Sequence, residues 1–118
     1  PFHCTASGKM YLSSLRPAYL DRYLESARLE KHAPGTITDR AALKTEIELT
    51  RKRGYSCDNQ EFMEDMAAVA VPVLDNQKRL MSTLSVHAPI QRQTPETLRA
   101  FLEPLKRAAS QLAHQVNA

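Results

Sequence analysis

The segment Thr5-Ala6-Ser7-Gly8-Lys9, near the start of the chain, could bind an anion. We interpret it as the beginning of a helix, and the first turn of a helix leaves backbone amides without intrahelical acceptors. The helix dipole favours negative charge at the same place, and the small side chains would let a ligand approach the backbone closely. A plain capping turn, in which Gly8 only permits tight packing, is the alternative interpretation of the same residues.

One face of the last predicted strand is the second candidate. Side chains of a strand alternate between two faces, so Thr83, Ser85 and His87 share one side. Asp58 and Cys57 lie on a short strand that we expect to be its neighbour in the sheet. Hydroxyls, a carboxylate and an imidazole around a hollow would suit a small polar molecule. A solvated outer face of the sheet is the alternative.

Nucleophilic catalysis would need a thiolate–imidazole pair. Cys4 or Cys57 with His3 or His87 could supply one, but the sequence has no nucleophile elbow and no obvious third residue to orient the imidazole. We therefore predict that the chain is not an enzyme.

Metal binding would need ligands at characteristic spacings. His3, His32, His87, Cys57 and Asp58 are possible ligands, yet no CxxC or HxxxH spacing joins them. The spacing thus predicts no metal site, and no motif indicates a cofactor.

Composition places the chain among single soluble domains. Its 118 residues, 42% hydrophobic and 25% charged, are enough for one core, so residues 1–118 are expected to form a single domain. The net charge of +3 is dispersed apart from Arg51-Lys52-Arg53, which we assign to a helix end rather than to a nucleic-acid surface. Two cysteines are expected to be free thiols. Without a membrane span or a signal peptide, a cytoplasmic location is expected.

Proline, glycine and helix-capping residues divide the chain into helices followed by strands and a final helix. We predict helices over 5–15, from Pro17 to the break at 32–35, and from Thr38 or Asp39 to Arg53, closed by Gly54. Strands are predicted over 55–58, 66–74 and 80–87, with a turn at 75–78. A long helix begins at 94–96 and is expected to kink at Pro104.

These elements predict an α+β fold in which a small antiparallel sheet packs on helices. Three strands leave an edge open and apolar faces uncovered, which suggests missing partner strands or an oligomer. Because the chain opens at Pro1 and runs almost at once into a helix, we expect it to be a piece of something longer.

An ordered set of motifs resembles a known family. PFHCTASGK, TITD, RKRGYSCDNQEF, AVAVPVLD and LSVHAP occur in this order along nearly the whole chain. Together they resemble the C-terminal effector-binding domain of IclR-type bacterial transcriptional regulators. The resemblance implies a six-stranded antiparallel sheet flanked by helices, related to GAF and profilin-like sensors. It further implies that the first helix and strands of that domain, and the N-terminal winged helix-turn-helix domain, are absent from this chain.

The resemblance also implies an effector site. A ligand carboxylate would be held by backbone amides at Ala6 and Ser7. The residues that we expect to bind the effector are Ala6, Ser7, Asp58, Met66, Ala68, Ser85 and His87.

Three positions depart from the family pattern. Asp65 stands where Gly is frequent, Ala68 where Cys is frequent, and His87 where Ser is frequent. Ala68 enlarges one wall of the pocket, whereas His87 adds bulk and a titratable donor. We infer a ligand different from that of a Cys/Ser-walled relative, either larger or with a second acidic group.

The resulting prediction is a domain that senses a small organic acid and controls DNA binding by the absent N-terminal domain. Asp58, Ser85 and His87 would form hydrogen bonds to the ligand, with Met66 and Met81 as adaptable apolar contacts. A homodimer or homotetramer is expected, with no membrane partner. The alternatives are a Cys/His-dependent hydrolase-like enzyme and a purely structural oligomerisation module.

Overall fold

Helices precede and follow a three-stranded sheet in this α+β chain. The computed structural model describes residues 1–117. The helices and strands are α1 (Ala6–Ser14), α2 (Pro17–Ser26), α3 (Arg40–Arg53), β1 (Ser56–Asn59), β2 (Met66–Leu74), β3 (Leu80–Pro89), α4 (Pro95–Leu98), a 3-10 turn (Arg99–Phe101) and α5 (Leu102–Asn117). The predicted architecture is confirmed. No helix among these residues is both long enough and apolar enough to cross a membrane.

Strand β2 is the centre of the sheet, with β1 and β3 antiparallel on either side of it. Its run of small and β-branched residues suits a strand that is buried on both faces. Pro72 lies beyond Ala70, where the pairing with β1 ends, so its missing N–H costs nothing on that side. The pairing of β2 with β3 is irregular one residue later, at a register shift between Val73 and Leu74.

One face of the sheet forms the main apolar core. Alternate residues of β2 pack against side chains of α4 and α5, because period-two alternation sends every second residue to the same side. The buried members of this core are Ala67, Val69, Val71, Val73, Leu98, Leu102, Leu105 and Ala109. Cys57 of β1 packs against the same cluster.

Helices α1, α2 and α3 share a second apolar cluster, formed by Leu12, Leu20, Leu24, Leu43 and Ile47. Arg51 at the end of α3 donates hydrogen bonds to the carbonyl oxygens of Ser13 and Leu15, at 2.9 and 2.8 Å. This contact confirms that the Arg51-Lys52-Arg53 triplet ends a helix, and it fixes α3 against the end of α1.

The predicted helix boundaries follow from local chemistry. The side chains of Thr5, Asp39 and Thr94 each accept a hydrogen bond from an amide in the first turn. Gly54 ends α3 in the left-handed conformation, with φ of 79°.

Two helix predictions need correction. Helix α2 ends at Ser26, well before the predicted break at 32–35. The interruption expected at Pro104 lies one turn earlier, in the 3-10 turn, so that Pro104 falls in the first turn of α5, where its missing N–H leaves no bond unmade.

The connections before and after β2 also agree with the predictions from the sequence. Asp75 closes the predicted hairpin turn, since its Oδ1 accepts from the amides of Gln77 and Arg79, both at 2.8 Å. Asp65, at the position where the family often has Gly, has φ of 65°. That is the left-handed region, which Asp tolerates better than most residues.

Candidate functional site

The start of α1 lies across all three strands. Ala6 packs on Ala68 and Ala70 of β2, and its carbonyl oxygen accepts a hydrogen bond from the Ser56 hydroxyl of β1. The Thr83 hydroxyl of β3 donates to Ser7 Oγ at 2.9 Å. The two elements that the sequence analysis expected to converge, the helix start and the polar strand face, are therefore in direct contact.

Two backbone amides at this helix start have no acceptor within residues 1–117. Thr5 caps the helix by accepting from the Gly8 amide at 2.9 Å, and its carbonyl accepts from the Lys9 amide at 2.9 Å. Ala6 and Ser7, the first two residues of α1, are left with their N–H groups unpaired. The unpaired amides and the helix dipole together favour an anion at this position.

Gly8 serves packing rather than ligand approach. A Cβ at this position would lie 2.6 Å from Phe2 Cα and 2.7 Å from the Phe2 carbonyl oxygen. The segment before α1 can fold back on the helix only because residue 8 has no side chain. The plainer of the two initial interpretations is thus correct for Gly8, although it does not account for the amides of Ala6 and Ser7.

Residues of the polar sheet face stand in rows across the strands. Asp58, Ala68 and His87 are cross-strand partners, so the short Ala68 side chain separates the carboxylate from the imidazole. The next row is formed by Ser56, Ala70 and Ser85. Ser85 Oγ lies 3.2 Å from His87 Nε2.

Met66 begins β2 opposite Pro89 and is half-buried. By alternation it lies on the same face as Ala68. All seven predicted effector-binding residues therefore belong to one side of the sheet or to the helix start that crosses it.

Cys57 was grouped with Asp58 in the sequence analysis, and that grouping is wrong. Neighbouring residues of a strand face opposite sides, so Cys57 joins the apolar core while Asp58 lies on the polar face. The short strand is also not adjacent to β3, because β2 lies between them.

The same geometry rules out a thiolate–imidazole pair of Cys57 and His87, since the two side chains lie on opposite faces of the sheet. Burial raises the pKa of both the Cys4 and the Cys57 thiol, and a raised pKa disfavours the thiolate that nucleophilic catalysis needs. Both cysteines are free thiols, as predicted.

A buried ion pair beneath the site was missed in the sequence analysis. Lys9 Nζ, fully buried, lies 2.8 and 3.0 Å from the two carboxylate oxygens of Glu61. The Glu61 carboxylate also accepts from the Asn59 amide at 3.0 Å, while Asp58 Oδ1 accepts from the Glu61 amide at 2.8 Å. The only hint in the sequence was the Asp-x-x-Glu spacing of residues 58 and 61, since Lys9 is 52 residues away.

Burial dominates the electrostatics of both carboxyl groups. Desolvation raises the pKa of Asp58, against the opposing effects of the backbone N–H donors, Lys9 and His87. Desolvation likewise raises the pKa of Glu61, although Lys9 acts in the opposite direction. The base of the site therefore holds carboxyl groups that bind protons more readily than exposed ones.

A cavity among residues 1–117 lies away from the predicted effector-binding residues. It has a volume of about 520 Å³ and lies between α1, the end of α3 and the β2–β3 turn. None of the seven predicted residues lines it. Ala68 and Ala70 are fully buried beneath Ala6, while His87 is exposed. Within residues 1–117, the predicted site is thus a surface at the open side of the sheet.

Comparison with known proteins identifies the family. The family profile described as "Bacterial transcriptional regulator IclR C-terminal" matches residues 1–114. The chain is 41% identical over 112 residues to "Probable transcriptional regulator SauR" of Cupriavidus necator, covering 95% of this chain and 44% of that protein. The chain therefore spans less than half the length of this relative.

Comparison with solved structures indicates the same family. The C-terminal domain of the Escherichia coli transcriptional regulator KdgR is 30% identical with a TM-score of 0.89, covering 100% of this chain and 72% of that one. The inducer-binding domain of the transcription factor PobR from Acinetobacter, solved as a double mutant with 3-hydroxybenzoic acid, is 29% identical with a TM-score of 0.89, over 96% of this chain and 65% of that one. The order of elements, the contact of α1 with the sheet and these matches lead to one conclusion: the chain belongs to the IclR family of bacterial transcriptional regulators and corresponds to its C-terminal region.

Proposed function

We propose that this chain is the part of an IclR-type regulator that senses a small organic acid. The observation that carries the proposal is the pair of unpaired amides at Ala6 and Ser7, placed where Ser7 Oγ meets Thr83 on the polar face of the sheet. A carboxylate that accepts from both amides would gain charge-assisted hydrogen bonds and the favourable field of the helix. The rest of the ligand would then lie along the polar face.

The remaining predicted residues would contact the body of the ligand. His87 and Ser85 form one hydrogen-bonded pair that can offer both a donor and an acceptor. Asp58, whose pKa burial raises, could donate a hydrogen bond as the protonated acid to a second acidic group. Met66 would supply an apolar contact, whereas Ala68, fully buried beneath Ala6, would reach the ligand only if binding displaces the start of α1.

The open edge of β3 supports a larger domain around the site. Within the described residues, β3 pairs only with β2, and an unpaired strand edge is usually covered in a native protein. We propose that a preceding helix and further strands complete the sheet and enclose the ligand. The relative from Cupriavidus necator, of which this chain covers 44%, is long enough to hold them.

The chemical class of the ligand follows from the site and from one neighbour. The PobR domain was solved with 3-hydroxybenzoic acid, an aromatic carboxylic acid. A ligand of this chain would share the carboxylate and differ elsewhere, because we expect Ala68 and His87 to give the site a different wall from that of a Cys/Ser-walled relative. We do not propose catalysis, since the named relatives are transcriptional regulators.

Regulation would act through the rest of the protein in the cytoplasm. We propose a homodimer or homotetramer in which an N-terminal winged helix-turn-helix domain binds DNA. Ligand binding shifts such an assembly only if the ligand has different affinities for two subunit arrangements. The shift would then change the spacing of the DNA-binding domains.

Calorimetry with a panel of carboxylates on the intact protein tests the proposal. Ser7→Pro removes one amide donor in the first turn, where proline is tolerated. Ser7→Ala is the matched control, because it removes the hydroxyl and keeps the amide. A hydrogen bond to a charged group contributes about 1.5–3 kcal/mol, so we expect Ser7→Pro to bind the carboxylate roughly 10- to 150-fold more weakly than Ser7→Ala. Equal affinities of the two variants would contradict the proposed anion site.

A further inference from the structure

Three potential metal ligands from two distant segments meet beside the start of α1. His3 and Cys4 precede the helix, and His32 lies in the connection between α2 and α3. One ligand atom from each residue lies within 4.8 Å of the other two. The predicted absence of a metal site rested on spacing along the chain, whereas the fold brings together side chains from segments that are far apart in sequence.

The imidazole of His3 has one ring nitrogen in a hydrogen bond to the backbone. Its Nε2 lies 2.8 Å from the Glu30 carbonyl oxygen, which can only accept, so Nε2 carries the proton. Nδ1 is then the unprotonated nitrogen with a free lone pair. Metal-binding histidines characteristically donate their other N–H to a carbonyl or carboxylate in this way. His3 is 3% exposed, which holds the ring in place.

The segment that carries His32 is also fixed. The His32 amide donates to Thr36 Oγ1 at 3.0 Å, and the Thr36 hydroxyl in turn bonds to the Glu61 carbonyl. The Gly35 amide donates to the Gln60 carbonyl at 2.9 Å. The backbone around His32 is therefore anchored, while its exposed ring can adjust its position.

Size and chemistry of the cluster fit one class of ion. Tetrahedral zinc, with bonds of about 2.0 Å to nitrogen and 2.3 Å to sulfur, separates two nitrogens by about 3.3 Å and a nitrogen from a sulfur by about 3.5 Å. The ligand atoms of the three residues lie within 4.8 Å of one another, so they have to approach by roughly 1.5 Å at most to reach that tetrahedral separation. One thiolate and two imidazoles suit a borderline-soft divalent ion better than Mg²⁺ or Ca²⁺, which prefer oxygen.

We propose that His3, Cys4 and His32 form a site for a zinc-like divalent cation, with a fourth position open to water at the exposed side. His3 binds through Nδ1 and His32 as a neutral imidazole. Cys4 binds as the thiolate and releases its proton to solvent as the metal–sulfur bond forms. The bound ion ties the segment before α1 to the α2–α3 connection, and none of its three ligands belongs to the predicted effector site.

Co²⁺ titration of the metal-free, reduced intact protein tests the site. We expect one Co²⁺ per chain, with the sulfur-to-cobalt charge-transfer absorption that requires a thiolate ligand, and displacement of the Co²⁺ by Zn²⁺. His32→Asn changes an exposed ring and is expected to weaken Zn²⁺ binding by about 100-fold, the upper end of the loss caused by removing a supporting partner. Cys4→Ser should abolish the charge-transfer absorption.

Matched controls remove the other cysteine and an exposed histidine. Cys57→Ala and His87→Asn should retain the absorption and the affinity of the unaltered protein. Saturation with Co²⁺ without a thiolate absorption, or equal Zn²⁺ affinity in His32→Asn and His87→Asn, would overturn the proposal. The measurement uses metal ions alone, so its result is independent of the effector.

Discussion

The Thr83 hydroxyl of β3 donates a hydrogen bond of 2.9 Å to Ser7 Oγ at the start of α1, across a sequence separation of 76 residues. This contact joins the two unpaired helix amides to the polar face of the sheet. A sheet face of the same composition without a helix end across it would be a solvated surface.

We expect Thr83→Val, which keeps the shape and removes the hydroxyl, to lower the free energy of unfolding by about 0.5–1.5 kcal/mol, the usual net contribution of one hydrogen bond. Urea denaturation measures it. Ser82→Ala, at an exposed position of the same strand, is the control and should change stability by less than about 0.5 kcal/mol. Equal effects of both substitutions would show that the Ser7 contact is not formed in solution.

The Lys9–Glu61 pair should show strong coupling in a double-mutant cycle. Glu61→Leu leaves a fully buried ammonium without its carboxylate, and breaking a buried pair in this way costs about 3–5 kcal/mol. Lys9→Met with Glu61→Leu should destabilise less than the sum of the single changes, because both charges are removed together. Denaturant unfolding of the four proteins gives the coupling energy, and additive effects would rule out a buried pair.

Gly8→Ala should destabilise the protein although alanine is the better helix former. The added Cβ would lie 2.6 Å from Phe2 Cα, so the backbone has to move, and such overpacking costs about 1–3 kcal/mol. Ser14→Ala, at an exposed position of the same helix, is the control and should be neutral within about 0.5 kcal/mol. A gain in thermal stability for Gly8→Ala would mean that the segment before α1 does not pack on the helix.

The buried carboxyl of Asp58 should make stability depend on pH. Burial raises its pKa above the ordinary 3.8, so the folded chain keeps a proton that the unfolded chain releases. Its contribution to the free energy of unfolding is therefore largest at low pH and falls as pH rises through the window above that ordinary value.

Comparison of two proteins that differ only by Asp58→Asn, between about pH 4 and pH 7, isolates this contribution. Both proteins should carry His87→Gln, which removes the facing imidazole, while Lys9 and Glu61 are common to both. We expect the stability advantage of the aspartate over the asparagine at this position to shrink as pH rises. An advantage that grows with pH would indicate a lowered pKa of the Asp58 carboxyl and contradict the predicted sign.

Local signals in the sequence were sufficient for most of the fold. The caps at Thr5, Asp39 and Gly54 act through neighbouring backbone groups, so short-range chemistry sets the ends of α1 and α3. The alternation in β3 fixed which side chains share the polar face. The predicted helices and strands supplied the α+β architecture, and the family motifs supplied the expectation that the amides of Ala6 and Ser7 and the polar strand face belong to one site.

Features that depend on distant contacts were not predictable in this way. Lys9 and Glu61 carry no periodic signal that would pair them, and His32 joins His3 only because the α2–α3 connection is anchored at Thr36. The grouping of Cys57 with Asp58 failed because adjacent residues of a strand face opposite sides. The interruption of the last helix lies before Pro104 rather than at Pro104, because a proline disturbs the turn that precedes it.

The structure of the intact protein with a bound carboxylate tests the central claim most directly. We predict a carboxylate oxygen within about 3 Å of the amide nitrogens of Ala6 and Ser7, with the remainder of the ligand along the polar face beside Ser85 and His87. A carboxylate bound instead in the 520 Å³ cavity beside Arg51 and Arg79, with the two amides hydrogen-bonded to protein groups, would contradict the account.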